Sequence, residues 1–334
     1  MIILARESRG LSQADLAGEL NISPANLSKI ENGDIQISDF LLDAITTVTR
    51  YPRSFFNQEG EILPTNLAYR KRQKVQQKLI TPVESKINIL TKHVEALSGA
   101  GFPSLNLPFI EVSEINTPQV IATQLRKKWK LKDSVIYDLV KEMELNGIII
   151  ISFDFQTERI DSRTMLTKDN HPIIFLNSCL PGDRQRFSLA FELAQLIMHT
   201  FCIVPFERDI KHEANLFAAE FLMPEKEIRK DFVTGINISL LGELKRKWKV
   251  SMISLLYRSD DLGFLTPNQK RYFIQQFNQL KIRRTEPSQL NVEPEKPELF
   301  KSIIFQLQKK ANLNVIDMAS LFHLETEEFL EYYS

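Results

Sequence analysis

The chain has 334 residues, enough for two or three domains that each bury a core. Hydrophobic residues at 43% and charged residues at 25% are ordinary for a soluble globular protein, and a formal net charge of zero means that composition alone indicates no bulk attraction to nucleic acid. The two cysteines form no CxxC motif and fit a reducing compartment better than a disulfide framework. We find neither a signal peptide nor an apolar run of about eighteen residues, so we expect a soluble cytoplasmic protein without membrane contacts.

The first sixty residues predict a helix, a tight turn and a second helix. Ser12 and Asp15 have the spacing of a capping box, which starts the first of the two helices. Ser23 is placed to cap the second, with Pro24 at its first position, and Asn32-Gly33 is typical of a helix end. This arrangement is a helix-turn-helix pattern.

The segment from Leu11 to Gly33, which contains LSQADLA and LSKIENG, closely resembles the Xre/lambda-repressor-like DNA-binding domains. The resemblance implies binding to double-stranded DNA, with a phosphate contact from Gln13 and contacts to base edges from the second helix. Asn and Ser side chains can hydrogen-bond to bases, and Lys29 can pair with phosphate. The predicted DNA-binding residues are Gln13, Ser23, Pro24, Ala25, Asn26, Ser28 and Lys29.

One alternative is a helical bundle that serves only for protein contact. Residues 1–60 carry five basic and eight acidic side chains, a net charge of −3, which is unfavourable for binding phosphate. The basic segment from Tyr69 to Lys74 can compensate by reaching the DNA backbone, or it can be a solvated linker.

The next segment predicts an amphipathic helix with a heptad seam. Thr81-Pro-Val-Glu84 has the form of a capping box with Pro82 at the first helical position. Apolar residues then recur with heptad spacing at Val83, Ile87, Leu90, Val94 and Leu97. Such a seam can join two chains or pack on the chain's own next domain. We favour a homodimer, because two-fold proteins read two half-sites on DNA.

The middle of the chain predicts an α+β domain. A helix is expected from Thr117-Pro118 and another up to Leu145, before the apolar strands at 148–153 and 172–176. A long helix follows from near Asp183. The whole chain is therefore expected to be mainly α with a small β-sheet, in which a lambda-repressor-like helical domain precedes a zincin-like α+β domain and a helical tail.

Residues 187–199 read FSLAFELAQLIMH, and residues 213–224 read EANLFAAEFLMP. Together they resemble the paired signatures of the ImmA/IrrE family of zinc peptidases, which carries His-Glu-x-x-His on one helix and a glutamate ligand on the next. The resemblance extends over most of the chain, in the family subset that has an Xre-type head. It makes Glu192 the counterpart of the general base and Glu213 the counterpart of the third ligand.

Phe191 and Gln195 stand where that family has its two histidines. A phenyl ring has no lone pair for a metal, and an amide oxygen is a poor zinc ligand compared with imidazole. Catalytic zinc sites use three protein ligands, so Glu213 alone cannot hold the metal and Glu192 has no activated water to deprotonate. We therefore expect no cofactor and no catalytic residue, with Glu192 and Glu213 vestigial. A site rebuilt from Glu192, His199, His212 and Glu213 is the less favoured alternative.

The predicted domains are the helix-turn-helix domain at 1–60, a basic linker and heptad helix at 61–103, the peptidase-like domain at 104–285 and a C-terminal helical module at 286–334. The leading hypothesis is a transcriptional regulator whose inactive metallopeptidase-like domain senses an effector or binds a protein partner. The alternative is an active zinc metallopeptidase with non-standard ligands that cleaves a repressor or antitoxin-like protein. A third possibility is an interaction module without DNA affinity.

Overall fold

The computed structural model describes residues 1–58, 70–71, 76–99, 101–132, 134–202 and 204–333. Within these ranges, no helix combines the length and the apolar character needed to cross a membrane.

Five helices form the N-terminal domain, and two of them match the predicted helix-turn-helix. Their bounds are α1 Ile2–Ser8, α2 Gln13–Glu19, α3 Pro24–Glu31, α4 Asp39–Thr49 and α5 Arg53–Phe56. The predicted capping box is present, since Ser12 accepts from the Asp15 backbone N–H and Asp15 accepts from that of Ser12. Ser23 caps α3, and Gly33 follows it with φ +80°. A small apolar core of residues including Leu16, Leu27 and Ile45 holds these helices together.

The heptad helix, α6 Gln77–Ala96, starts earlier than predicted and packs inside its own chain. Pro82 lies in the helix interior and the Thr81 hydroxyl donates to the Gln77 carbonyl, so the predicted capping box is wrong. All five seam residues, from Val83 to Leu97, are buried against α1 and the C-terminal helices. The seam therefore packs within its own chain, and the homodimer stays a prediction.

The expected small sheet has four strands in the order β1-β3-β4-β2. Their bounds are β1 Arg70–Lys71, β2 Ile149–Phe153, β3 Ile160–Leu166 and β4 Pro172–Asn177. β2 and β4 are parallel, whereas β3 runs antiparallel to β4 and β1. Of the predicted basic arm, only β1 lies within the described residues, and the rest of the arm lies outside them.

Both faces of the sheet are covered, which explains why β2 and β4 read as continuous apolar runs. Ile150, Ile174 and Leu176 pack into the main core beneath α9 and α10. The alternate residues Ile149 and Phe175 pack into a second core with α6 and the C-terminal helices. The helices of the main core are α7 Pro118–Lys128, α8 Leu139–Leu145, α9 Gly182–Met198, α10 Ile210–Leu222, α11 Glu225–Phe232, α12 Ile238–Trp248, α13 Met252–Asp261 and α14 Pro267–Gln279.

The proline-containing connector after α14 is more than a linker, because it packs against the start of α9. The Gly182 N–H donates to the Val292 carbonyl at 3.0 Å. Glu286 pairs with buried Lys245 at 2.7 Å, and Glu295 pairs with buried Arg186.

The C-terminal module consists of α15 Leu299–Ala311, α16 Val315–Leu321 and α17 Thr326–Tyr333. It shares the second core with α1 and α6, and Glu328 of α17 binds Arg9 through both carboxylate oxygens at 2.8 and 2.7 Å. The N-terminal and C-terminal ends of the chain are thus joined in one packed unit. The domain boundaries given above stay predictions.

Candidate functional site

The long helix α9 carries the residues that the resemblance aligns with the metal-binding motif, in a nearly fully buried setting. Phe191 and Gln195 are one helical turn apart and so share one face. Phe191 is 4% exposed and belongs to the main apolar core, as expected for a ring that fills space, whereas Gln195 is half-buried. Packing of this kind stabilises the helix but supplies no metal ligand.

Glu192 points from α9 to the sheet, where two hydroxyls of β3 bind it. Ser162 donates to Oε1 at 2.6 Å and Thr164 donates to Oε2 at 2.7 Å. The carboxylate is 1% exposed. Its oxygens are therefore committed to donors inside the protein, an arrangement that holds α9 on the sheet.

Glu213 lies in the first turn of α10, and its carboxylate is paired with the guanidinium of Arg208. Arg208 Nε donates to Oε1 at 2.8 Å, and Arg208 Nη2 lies 2.7 Å from Oε2. His199 Nε2 is 2.9 Å from the same Oε2. Burial lowers the pKa of His199, although Glu213 acts in the opposite direction. A guanidinium thus sits on the carboxylate that would hold zinc in the resembling family.

The donor set does not fit a catalytic zinc ion. Phe191 and Gln195 contribute no imidazole, and Glu213 is neutralised by Arg208, which stays charged in proteins. His199 and Glu213 do lie together, but His212 is exposed and Glu192 is bound to β3. Across the described ranges, no three His, Cys, Asp or Glu side chains are grouped to hold a metal. The four residues proposed for a rebuilt site are not brought together.

The outward face of α3 is the second candidate site. Pro24, Ala25, Asn26 and Lys29 are exposed, and Ser28 is half-buried. Ser23 is exposed as well, with its hydroxyl accepting from the Asn26 backbone N–H at 3.2 Å. Asn26 and Lys29 thus project from the position that the second helix of a helix-turn-helix presents to the major groove.

Gln13 is held by an internal partner. Its amide N–H donates to Glu31 Oε2 at 2.7 Å, and Arg6 Nε donates to the other oxygen of Glu31 at 2.6 Å. This contact ties the start of α2 to the end of α3 and fixes the turn between them. The phosphate contact of Gln13 stays a prediction.

Most cations of the N-terminal domain are likewise used inside the chain. Arg6 binds Glu31, Arg9 binds Glu328, and Arg53 binds Asp39 and Asp43. Lys29 and Arg50 are exposed. Few cationic side chains of this domain are therefore available to bind phosphate, in line with its net negative charge in the sequence.

The two sites define a class of protein, one that joins a DNA-binding helix-turn-helix unit to a peptidase-like α+β domain. Residues 2–56 match the helix-turn-helix family, and residues 143–260 match the family described as the IrrE N-terminal-like domain. The chain is therefore a fusion of these two domains in this order, as the resemblance predicted. No curated protein matches the chain.

Sequence reasoning missed the residues that bind the carboxylates of Glu192 and Glu213. Ser162 and Thr164 lie in a strand that we did not predict, and Arg208 lies in the loop before α10. The one local signal was the spacing of Arg208, five residues before Glu213, which becomes informative only once the loop conformation is known.

Proposed function

We propose that the chain is a sequence-specific transcriptional regulator whose peptidase-like domain binds an effector or a partner and hydrolyses nothing. Its α3 would read DNA bases through Asn26 and Ser28, with Lys29 on phosphate. The peptidase-like domain would act as the sensing part of the molecule.

The observation that carries this proposal is the pairing of Glu213 with Arg208 and His199. A missing ligand alone leaves room for an unusual zinc site, but a guanidinium on the remaining carboxylate competes directly with a metal cation. The exposed face of α3 and the match to the helix-turn-helix family support the DNA-binding half.

Selection from a randomised duplex library, followed by affinity measurements over a range of salt concentrations, tests the DNA-binding half. We expect tight binding that weakens as salt rises, because Lys29 and other cations displace counterions. Asn26→Ala should cost about 1–3 kcal/mol at the contacted base, and Lys29→Ala should reduce the salt slope by about 1.

The matched control is Lys128→Ala with Gln124→Ala, two exposed positions on α7. It should leave DNA affinity and the salt slope unchanged. Absent or salt-independent binding would support instead a module that contacts only proteins.

A further inference from the structure

A cleft of about 900 Å³ opens beside the start of α9 and is separate from the altered metal motif. Its walls come mainly from the start of α9, from α12 and α13, and from the connector after α14, with Glu158, Asn215 and Asn278 added from other elements. Neither Gln195, Glu192 nor Glu213 lines it. Its volume is within the range of sites that bind small molecules.

The exposed lining of the cleft, its rim, is mainly cationic, although the exposed carboxylate of Glu158 also lines it. Lys281, Arg283 and Arg284 line it and are exposed. Within the described part of the chain, none of the three forms an ion pair with a carboxylate; Arg283 donates only to the Asn278 side chain, at 3.4 Å. Because arginine and lysine without internal partners bind phosphate well, the rim favours a phosphorylated group.

The buried part of the cleft, its floor, contains the carboxylates of Asp183 and Glu286 around one lysine, and it offers a hydrogen-bond acceptor. Lys245 is buried and contacts Asp183 at 2.6 Å and Glu286 at 2.7 Å. Asp183 Oδ1 is also buried, and among the described residues nothing donates to it. A buried carboxylate oxygen without a donor is costly, so it favours a ligand that brings an N–H or O–H group.

Aromatic and apolar side chains also line the cleft. Tyr257 is 39% exposed and lines the cleft together with Phe187 and Ile253. Lys270 Nζ lies 5.4 Å from the centroid of the Tyr257 ring and helps to fix it. An exposed aromatic ring of this kind stacks on a flat heterocycle.

From these three features we propose that the cleft binds a nucleoside phosphate as the effector of the molecule. The phosphate would lie on Arg283 and Arg284, the base on Tyr257, and a base N–H or ribose hydroxyl would donate to Asp183. Nucleotide binding at the cleft requires no DNA and is independent of the proposed function. Only the role of the nucleotide as an effector rests on the proposed function.

Titration calorimetry of the full chain without DNA tests the proposal. The probes are the adenosine, guanosine, cytidine and uridine diphosphates, with inorganic phosphate, adenosine and a hexaglutamate peptide as comparison ligands. At least one diphosphate should bind about tenfold or more tightly than inorganic phosphate, adenosine or the peptide.

Variants then locate the site. Arg283→Ala with Arg284→Ala should weaken the bound nucleotide about tenfold or more, whereas Lys309→Ala with Lys310→Ala, an exposed pair on α15, should not. Tyr257→Ala should weaken the nucleotide and leave the weak binding of inorganic phosphate unchanged. Unfolding midpoints equal to that of the unaltered chain verify the fold of each variant.

Failure of all four diphosphates to bind would overturn the proposal, as would equal binding of the hexaglutamate peptide or equal weakening by the Lys309/Lys310 control. These outcomes differ from failure of the proposed function, which is seen in DNA binding without nucleotide.

Discussion

At the residue scale, three of the four residues that the resemblance aligns with a zinc site make contacts inside the protein. Phe191 packs in the core, Glu192 binds two hydroxyls of β3, and Glu213 binds Arg208. The sequence alone predicts that Phe191 and Gln195 stand in the two histidine positions, since the spacing of the motif can be read directly. It could not identify Arg208, because the contact depends on how the loop before α10 returns to the helix.

Restoring the two histidines should therefore be insufficient to restore the metal. Phe191→His with Gln195→His supplies imidazoles, but Arg208 still neutralises Glu213. We expect the triple variant that also carries Arg208→Ala to bind zinc about tenfold or more tightly than the double variant, as measured by competition with a chromogenic chelator.

The control for that series is Arg229→Ala in place of Arg208→Ala, which removes an exposed arginine paired with Glu225. It should leave the affinity of the double variant unchanged. If the double variant already binds zinc as tightly as the triple, Arg208 does not block the site.

At the element scale, the predicted helices and two predicted strands are present, but β3 was missed. Its sequence Ile160–Leu166 places Asp, Ser, Arg and Thr side chains in buried positions, so neither an apolar run nor a polar alternation marks it. Such a strand is stable only because α9 and neighbouring strands provide partners, for example Glu192 for Ser162 and Thr164. Local sequence cannot show partners that are distant in the chain.

The connector after α14 gives a test of close packing at the start of α9. A Cβ added at Gly182 would lie 2.5 Å from the Glu293 carbonyl oxygen and 2.6 Å from that of Val292. Gly182→Ala should therefore lower the free energy of unfolding by about 2 kcal/mol, because backbone must move to relieve the contact. Urea denaturation measures the change.

Gly18→Ala provides the matched comparison, since a Cβ at this position in α2 would meet no atom within 4 Å beyond its chain neighbours and the backbone of its own helix. It should raise stability by up to about 1 kcal/mol through helix propensity. Equal effects of the two substitutions would show that the connector does not press on α9.

At the scale of the whole molecule, the heptad helix α6 joins the N-terminal domain, the sheet and the C-terminal module in one core. The sequence left open whether its seam would meet another chain or its own, because an apolar seam specifies burial and not the partner. Buried His93 of α6 contacts the Tyr333 hydroxyl of α17 at 2.6 Å and so links the helix to the end of the module.

Acid should weaken this core. Burial lowers the pKa of His93 to about 3, below the ordinary value of 6.5, so the unfolded chain binds the proton more readily. The contribution of neutral His93 to stability is complete above pH 6.5 and is lost as the pH falls towards 3, by about 1 kcal/mol for each pH unit.

Urea denaturation between pH 7 and 4.5 measures this loss. His93→Phe should show a shallower pH dependence than the unaltered chain, whereas His212→Gln, a change at an exposed histidine, should not. Parallel profiles for all three proteins would contradict the assignment of the effect to His93.

The central claim is that the peptidase-like domain holds no catalytic zinc because its own side chains satisfy the remaining carboxylates. Elemental analysis of protein purified without chelators from zinc-supplemented cells tests this most directly. The account predicts far less than one zinc per chain, unchanged after dialysis against zinc and removal of the excess. One tightly bound zinc per chain, lost on substitution of Glu213 or His199 by alanine, would contradict it.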